Sequence, residues 1–218
     1  MLTYSSLSSE LDRLGPNDIA PHLKLADYCL YGVVAITFFA LMHFSLDMIL
    51  RHTYPKYVQM DKPEQNEYSL QYIRIVHGAI AAAGSAYSIW WSCPDGATFF
   101  TSEECRLVPR NSHVWVCFFT AGFLCYDSYG LMFLTTDRST VVKQRLLHHV
   151  AGLLNYYIAF WQQDFTVTIG AAFIFIEISS PFVGMRSVLF HHGFKGTILQ
   201  AINTGLLFIT FVFVRTIF

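Results

Sequence analysis

The chain has 218 residues, 54% of them hydrophobic and only 13% charged, with a formal net charge of −1. A soluble domain of this size carries about 25% charged residues, so the composition argues against an ordinary water-soluble globule. No block of lysines and arginines stands out, which argues against nucleic acid as a partner.

Residues 1–26 form a polar segment carrying Glu10, Asp12 and Asp18. It has neither the basic-then-apolar order of a signal peptide nor the arginine-rich, acid-poor look of a transit peptide, so the first spanning helix is expected to act as its own insertion signal. Ser8-Ser9-Glu10-Leu11 is expected to cap a short interfacial helix ending at Gly15-Pro16, and Asn17-Asp18 to begin a second.

Residues 27–218 hold six apolar runs: Tyr28–Leu50, Tyr72–Trp91, Val114–Leu134, Leu146–Trp161, Phe165–Phe182 and Thr197–Phe218. Each approaches the ~20 residues that cross a ~30 Å hydrocarbon core. The fold class is therefore all-α, a polytopic membrane bundle of about six transmembrane helices in one domain. Val141-Val142 can lengthen the short fourth run, and Gln162-Gln163-Asp164 predicts a tight hairpin between the fourth and fifth.

Six spans place Arg13, Lys24, Arg106 and Arg110 on one side. Arg51, Lys56, Lys62, Arg74, Arg138, Lys143, Arg145, Arg186 and Lys195 fall on the other. The second set is the larger, so the loops after the first, third and fifth helices are assigned to the cytoplasmic or matrix side, here the positive side. Cys93 and Cys105 fall in a loop on the opposite, oxidising side. They are candidates for a disulfide, the alternative being two unrelated thiols.

Depth can be counted along each helix at ~1.5 Å per residue. His43 and Asp47, His77, Asp127, His148 and His149, Glu177 and Asn203 come from six different runs. All are expected within roughly 5–12 Å of the positive face. Ionisable groups in a bilayer are costly and are functional-site hypotheses by default. The expectation is a polar pocket in which histidines neutralise the carboxylates, with a carboxylate-braced imidazole suited to general-base work. Neighbouring residues on a helix point ~100° apart, so one of His148 and His149 should face the cavity and the other a neighbouring helix.

Bland readings stand beside this one. The histidine pair could serve interhelical hydrogen bonding, catalysis or metal ligation, and Asp127 could be a buried tie. Glu177 could snorkel to water. His43, Asp47 and Arg51 have the spacing of an internal ladder, and Arg74 and His77 lie near enough to the interface to act as anchors. His191-His192 reads as an interfacial segment, and Trp90, Trp91 and Trp161 as part of an aromatic belt. A channel or proton relay would use the same residues, but they occupy only one half of the membrane.

Several motifs together resemble the TRAM–LAG1–CLN8 (TLC) domain family, in its branch of small TLC-domain-containing membrane proteins. They are Ile73-Arg74-Ile75-Val76-His77-Gly78 with Ser85-Ala86-Tyr87, Ala121-Gly122-Phe123-Leu124-Cys125-Tyr126-Asp127, Leu147-His148-His149, Glu177-Ile178-Ser179-Ser180-Pro181-Phe182 and Phe211-Val212-Phe213-Val214-Arg215. The resemblance implies a helical bundle around a cavity for a lipid or acyl chain. In ceramide synthases of that family the histidine pair and acidic residues of the next helix carry acyl transfer from acyl-coenzyme A.

This chain lacks the His-Asp-x-x-x-Asp pattern after its histidines, and it stops within helix six, where family members commonly continue. Both departures point away from ceramide synthesis and towards lipid binding, transport or regulation of membrane lipid composition. The expected catalytic candidates are His148, His149, Asp127 and Glu177. His77, Tyr126, Asn203 and Ser179 are expected to line the pocket, and no residue is assigned to a metal. Expected ligands are a phospholipid or acyl chain, with acyl-coenzyme A if the protein is an enzyme. The endoplasmic reticulum membrane is the first expectation and the mitochondrial inner membrane the alternative. A competing expectation is a non-catalytic accessory subunit of a larger, respiratory membrane complex.

Overall fold

The computed structural model describes residues 25–162 and 165–217. The short helices expected in residues 1–24, and Gln163-Asp164 of the expected hairpin, lie outside the described residues. Those described form helices and connecting loops, without a strand. Six long helical segments make up the bundle. They are α1 (Leu25–Thr53), α3 (Lys62–Trp90), α5 (Asn111–Tyr129), α6 (Thr140–Gln162), a composite segment of α7 (Phe165–Phe173) and α8 (Ser180–His191), and α9 (Ile198–Ile217). Two short helices, α2 (Pro55–Gln59) and α4 (Glu103–Leu107), lie in the loops. The stretches Leu30–Thr53, Asn111–Leu134 and Thr166–His191 are each long and apolar enough to cross a membrane, and Ile198–Val214 is a shorter apolar helix.

Two boundaries differ from the sequence expectation in ways that matter for the site. Helix α3 begins at Lys62 rather than Tyr72, because Asp61 caps it by accepting from the Glu64 amide at 2.8 Å, with a proline in the first turn. The fifth segment does not end at Phe182. It tightens into a 3₁₀ stretch over Ile174–Ser179 and restarts as α8, with Pro181 in its first turn, a position where the missing amide hydrogen is tolerated. Helix α5 likewise ends in a π-helical turn, Gly130–Leu134.

Small residues decide which helices meet. A Cβ on Gly78 of α3 would lie 2.7 Å from Cδ of Pro181 and 2.9 Å from Cβ of Ser180. One on Gly184 of α8 would lie 2.9 Å from the Gln71 carbonyl oxygen. Two glycines on facing surfaces thus bring α3 and α8 into close backbone approach, the packing device of membrane helices. Helix α6 packs on α5 and α7 but makes no substantial contact with α8. The fourth and fifth segments are therefore together near their connection and splayed towards the positive end.

Phe39, Leu70, Ile73, Phe119 and Phe123 join α1, α3 and α5 in one buried cluster, and Ala81, Val116, Ala159, Val167 and Ala171 join α3, α5, α6 and α7 in another. Outward faces are apolar too. Leu147, Leu154 and Trp161 on α6, with Phe208 and Ile209 on α9, are exposed, as a bilayer-facing surface requires. At the other end Cys93 and Cys105 are joined by a disulfide, their Cα atoms 5.9 Å apart, which closes the loop containing α4.

Gly78→Ala should lower bundle stability by about 1–3 kcal/mol through overpacking against Pro181. Gly32→Ala, where an added Cβ meets nothing within 4 Å, should leave stability unchanged or slightly raised. Thermal unfolding of the two variants in the same detergent checks the contrast. Non-reducing peptide mapping should recover the Cys93 and Cys105 peptides as one linked species that separates on reduction.

Candidate functional site

Four segments turn polar groups towards a cavity of about 150 Å3 in the positive half of the bundle. Each does so at helical spacing, so the groups share a face. Helix α3 presents Arg74 and His77, and α5 presents Phe123 and Asp127. Helix α6 presents Arg145, His148 and His149, while the fifth segment presents Glu177, Ser180, Val183 and Gly184.

The centre is an ion pair. Arg74 Nε donates to Asp127 Oδ1 at 2.9 Å, and its Nη1 donates to Glu67 Oε1 at 2.8 Å. Arg74 is 8% exposed and Asp127 only 1%. Two readings are corrected here. Arg74 is not an anchor reaching out to the headgroups, because its guanidinium is buried and is held by Asp127 and Glu67. Nor are the histidines the main partners of the carboxylate, since the guanidinium fork reaches both acids at once.

His149 is buried against α5, with Nδ1 3.2 Å from Ser128 Oγ and Nε2 3.6 Å from Asp127 Oδ2. His148 borders the same cavity but is exposed, its ring centre 6.0 Å from that of His149. His77 is fully buried and lies flat on Phe123, with ring centres 3.7 Å apart. Neither His77 nitrogen, nor Asp127 Oδ2, has a hydrogen-bond partner among the described residues. Buried polar atoms are normally paired, so such a group beside a cavity calls for an explanation. Glu177 is half-buried and accepts from the Ser180 hydroxyl. Among the described residues no three His, Cys, Asp or Glu side chains are grouped to hold a metal ion.

The other expected pocket residues sit elsewhere. Tyr126 is bonded through its hydroxyl to His43 Nδ1 at 2.8 Å, which ties α1 to α5. Asn203 donates to the Phe182 carbonyl at 2.9 Å and ties α9 to α8. Ser179 bonds back to the Ile176 carbonyl within its own 3₁₀ turn, and the cavity is lined by its neighbour Ser180 instead. The expected single polar layer also divides. Asp47 belongs to a separate network with Arg51 (2.8 Å), Lys62 (3.0 Å) and the Tyr57 hydroxyl (2.8 Å). Burial raises the Tyr57 phenol to about 12, which keeps it a donor there. The segment His191-His192 closes an aromatic cluster with Tyr54 and Tyr68, the Tyr68 hydroxyl 2.7 Å from His192 Nε2.

Arg145 and Ser180 are cavity residues that the sequence reading does not single out. Their signal is spacing: Arg145 lies one turn before His148, and Ser180 one turn after Glu177. A second, apolar groove of about 590 Å3 runs between α1 and α5, walled by Tyr31, Phe38, Trp115 and Phe118.

The model of the TLC domain, shared by TRAM, LAG1 and CLN8 proteins, matches residues 67–218, more than half of the chain and all of the residues around the cavity. The chain belongs to the TLC-domain family. No curated protein matches it. The match thus runs from Glu67, within α3, through α9, while α1 lies before the matched range. With its apolar spans, this is an integral membrane protein.

Asp127→Leu should destabilise the TLC domain by about 3–5 kcal/mol, because it leaves Arg74 buried beside Glu67 with one partner fewer. Adding Arg74→Met should recover much of that loss, which thermal unfolding of the single and double variants checks.

Proposed function

We propose that this TLC-domain protein handles acyl lipids by receiving the polar end of a lipid in the cavity between α3, α5, α6 and α8. The observation that carries the reading is the juxtaposition of buried polar atoms that make no hydrogen bond, on His77 and Asp127, with the apolar walls Phe123, Leu124 and Val183. A headgroup or acyl carbonyl satisfies the first set, and hydrocarbon suits the second. The surrounding bilayer supplies molecules of that amphiphilic kind.

The two histidines divide the work. His149 is braced by Ser128 and by Asp127, so it is a positioning residue that holds the polar wall in register. His148, exposed at the cavity edge, is the imidazole that can reach an incoming hydroxyl or amine, as a hydrogen-bond partner or as a general base in acyl transfer. The loop disulfide fits a compartment with an oxidising face, which favours the endoplasmic reticulum membrane and is also met by the mitochondrial inner membrane.

In cells lacking the protein, wild type should restore the acyl-lipid profile. His148→Ala should lose most of that restoration, while a variant at exposed Tyr157, on α6 but away from the cavity, keeps it. Quantitative lipid analysis, with membrane levels of each variant matched, is the measurement. An unchanged profile on loss of the protein itself sinks the lipid reading.

A further inference from the structure

We infer that an acyl lipid enters the cavity sideways from the bilayer, through the gap between α6 and α8, and that Arg145 and Arg186 on its two rims bind an oxyanion at the lipid's polar end. The inference rests on the lipid reading of the cavity and deepens it by naming the ligand class: an acyl lipid ending in a carboxylate or a phosphate monoester, with no choline-type cation to offset its charge.

The gap follows from packing. Helix α6 is held by α5 and α7, and α8 by α3 and α9, so among the described residues the two share no substantial contact. The cavity lies between them, and one residue on each rim, His148 and Val183, borders it and is exposed. Both rims face outward beside exposed apolar side chains such as Leu147, so the opening gives onto hydrocarbon rather than onto another helix.

The arginines follow from register. Arg145 comes three residues before His148, and Arg186 three residues after Val183. The two helices run in opposite directions, so both displacements point to the positive end, by about 4.5 Å at ~1.5 Å per residue. Each rim therefore carries a guanidinium one turn nearer the headgroup layer than the mouth residue.

Neither guanidinium is tied down by a hydrogen bond or an ion pair among the described residues. Arg51, Arg74, Arg106, Arg110 and Arg138 all have carboxylate or carbonyl partners. Arg145 and Arg186 have neither a hydrogen bond nor an ion pair among the described residues, and Arg186 only overlies the Phe190 ring at 5.4 Å. The nearby carboxylates are engaged, Asp127 and Glu67 by Arg74 and Glu177 by Ser180. A planar guanidinium fork matches a carboxylate or phosphate in geometry and charge, and arginines at headgroup depth attract anionic lipids. With the oxyanion between the rims, the acyl chain passes Val183 to the apolar walls of the cavity or lies back along the outer face.

The test uses the full chain in phosphatidylcholine nanodiscs and three diazirine-bearing probes: a fatty acid, a phosphatidic acid and a phosphatidylcholine. Labelled residues are mapped by mass spectrometry. The fatty acid, the phosphatidic acid or both should label α6 and α8 around His148 and Val183 in preference to the choline lipid. Which of the two does so tells carboxylate from phosphate. The double variant Arg145→Gln/Arg186→Gln removes no hydrogen bond or ion pair among the described residues, only the exposed Arg186–Phe190 contact, and should fold as wild type. It should lower anionic labelling by about tenfold, the loss of charge-assisted bonds, and leave choline-lipid labelling unchanged. Equal labelling of the mouth by all three probes, unaffected by the glutamines, overturns this inference while the lipid reading stands. Absence of label from mouth and cavity with every probe overturns both.

Discussion

A guanidinium buried between two carboxylates fixes the interior of this bundle. Charges taken out of water are stable only beside their opposites, so Arg74 holds Asp127 of α5 and Glu67 of its own helix in one place. The register of α3 against α5 is set by that demand, and hydrophobic contacts alone would fix it less sharply, since one apolar side chain substitutes for another. His77 then falls onto Phe123, and Asp127 Oδ2 is turned towards the face where α6 brings His149. The polar site is built outward from the pair.

The cavity exists because two neighbouring segments diverge. The Gly78 and Gly184 contacts draw the second half of the fifth segment onto α3. Helix α6 stays with α5, since Leu153 and Tyr156 pack on the Phe119–Phe123 cluster. What opens between them is polar on the inside and apolar on the outside. A lipid has the same division, which is why the packing and the chemistry of the site support one reading.

Several site residues were legible in the chain and several were not, for identifiable reasons. His77, Asp127, His148, His149 and Glu177 announce themselves because polar groups inside apolar runs need partners, and all five border the cavity. Arg74 is misread as an anchor because its carboxylate partner Asp127 lies 53 residues further along, on another helix, and spacing within one run does not reveal it. Tyr126 and Asn203 share the depth of the cavity but not its direction, and depth counted along a helix carries no azimuth without a known partner. Ser179 and Ser180 differ by one position, about 100° around a helix, and the local 3₁₀ geometry selects between them.

The residues by themselves determined that the chain is an integral membrane helical bundle and that it carries the TLC pattern, because length and apolarity of runs are properties of consecutive residues and are constrained by bilayer thickness. Tertiary structure alone decided that the first and last helices keep their polar groups for separate ties, that an arginine rather than an imidazole neutralises Asp127, and that α6 and α8 part to leave a mouth. Those outcomes depend on which faces of different helices meet. Close packing and buried charge choose the faces, and both act between residues distant in the chain.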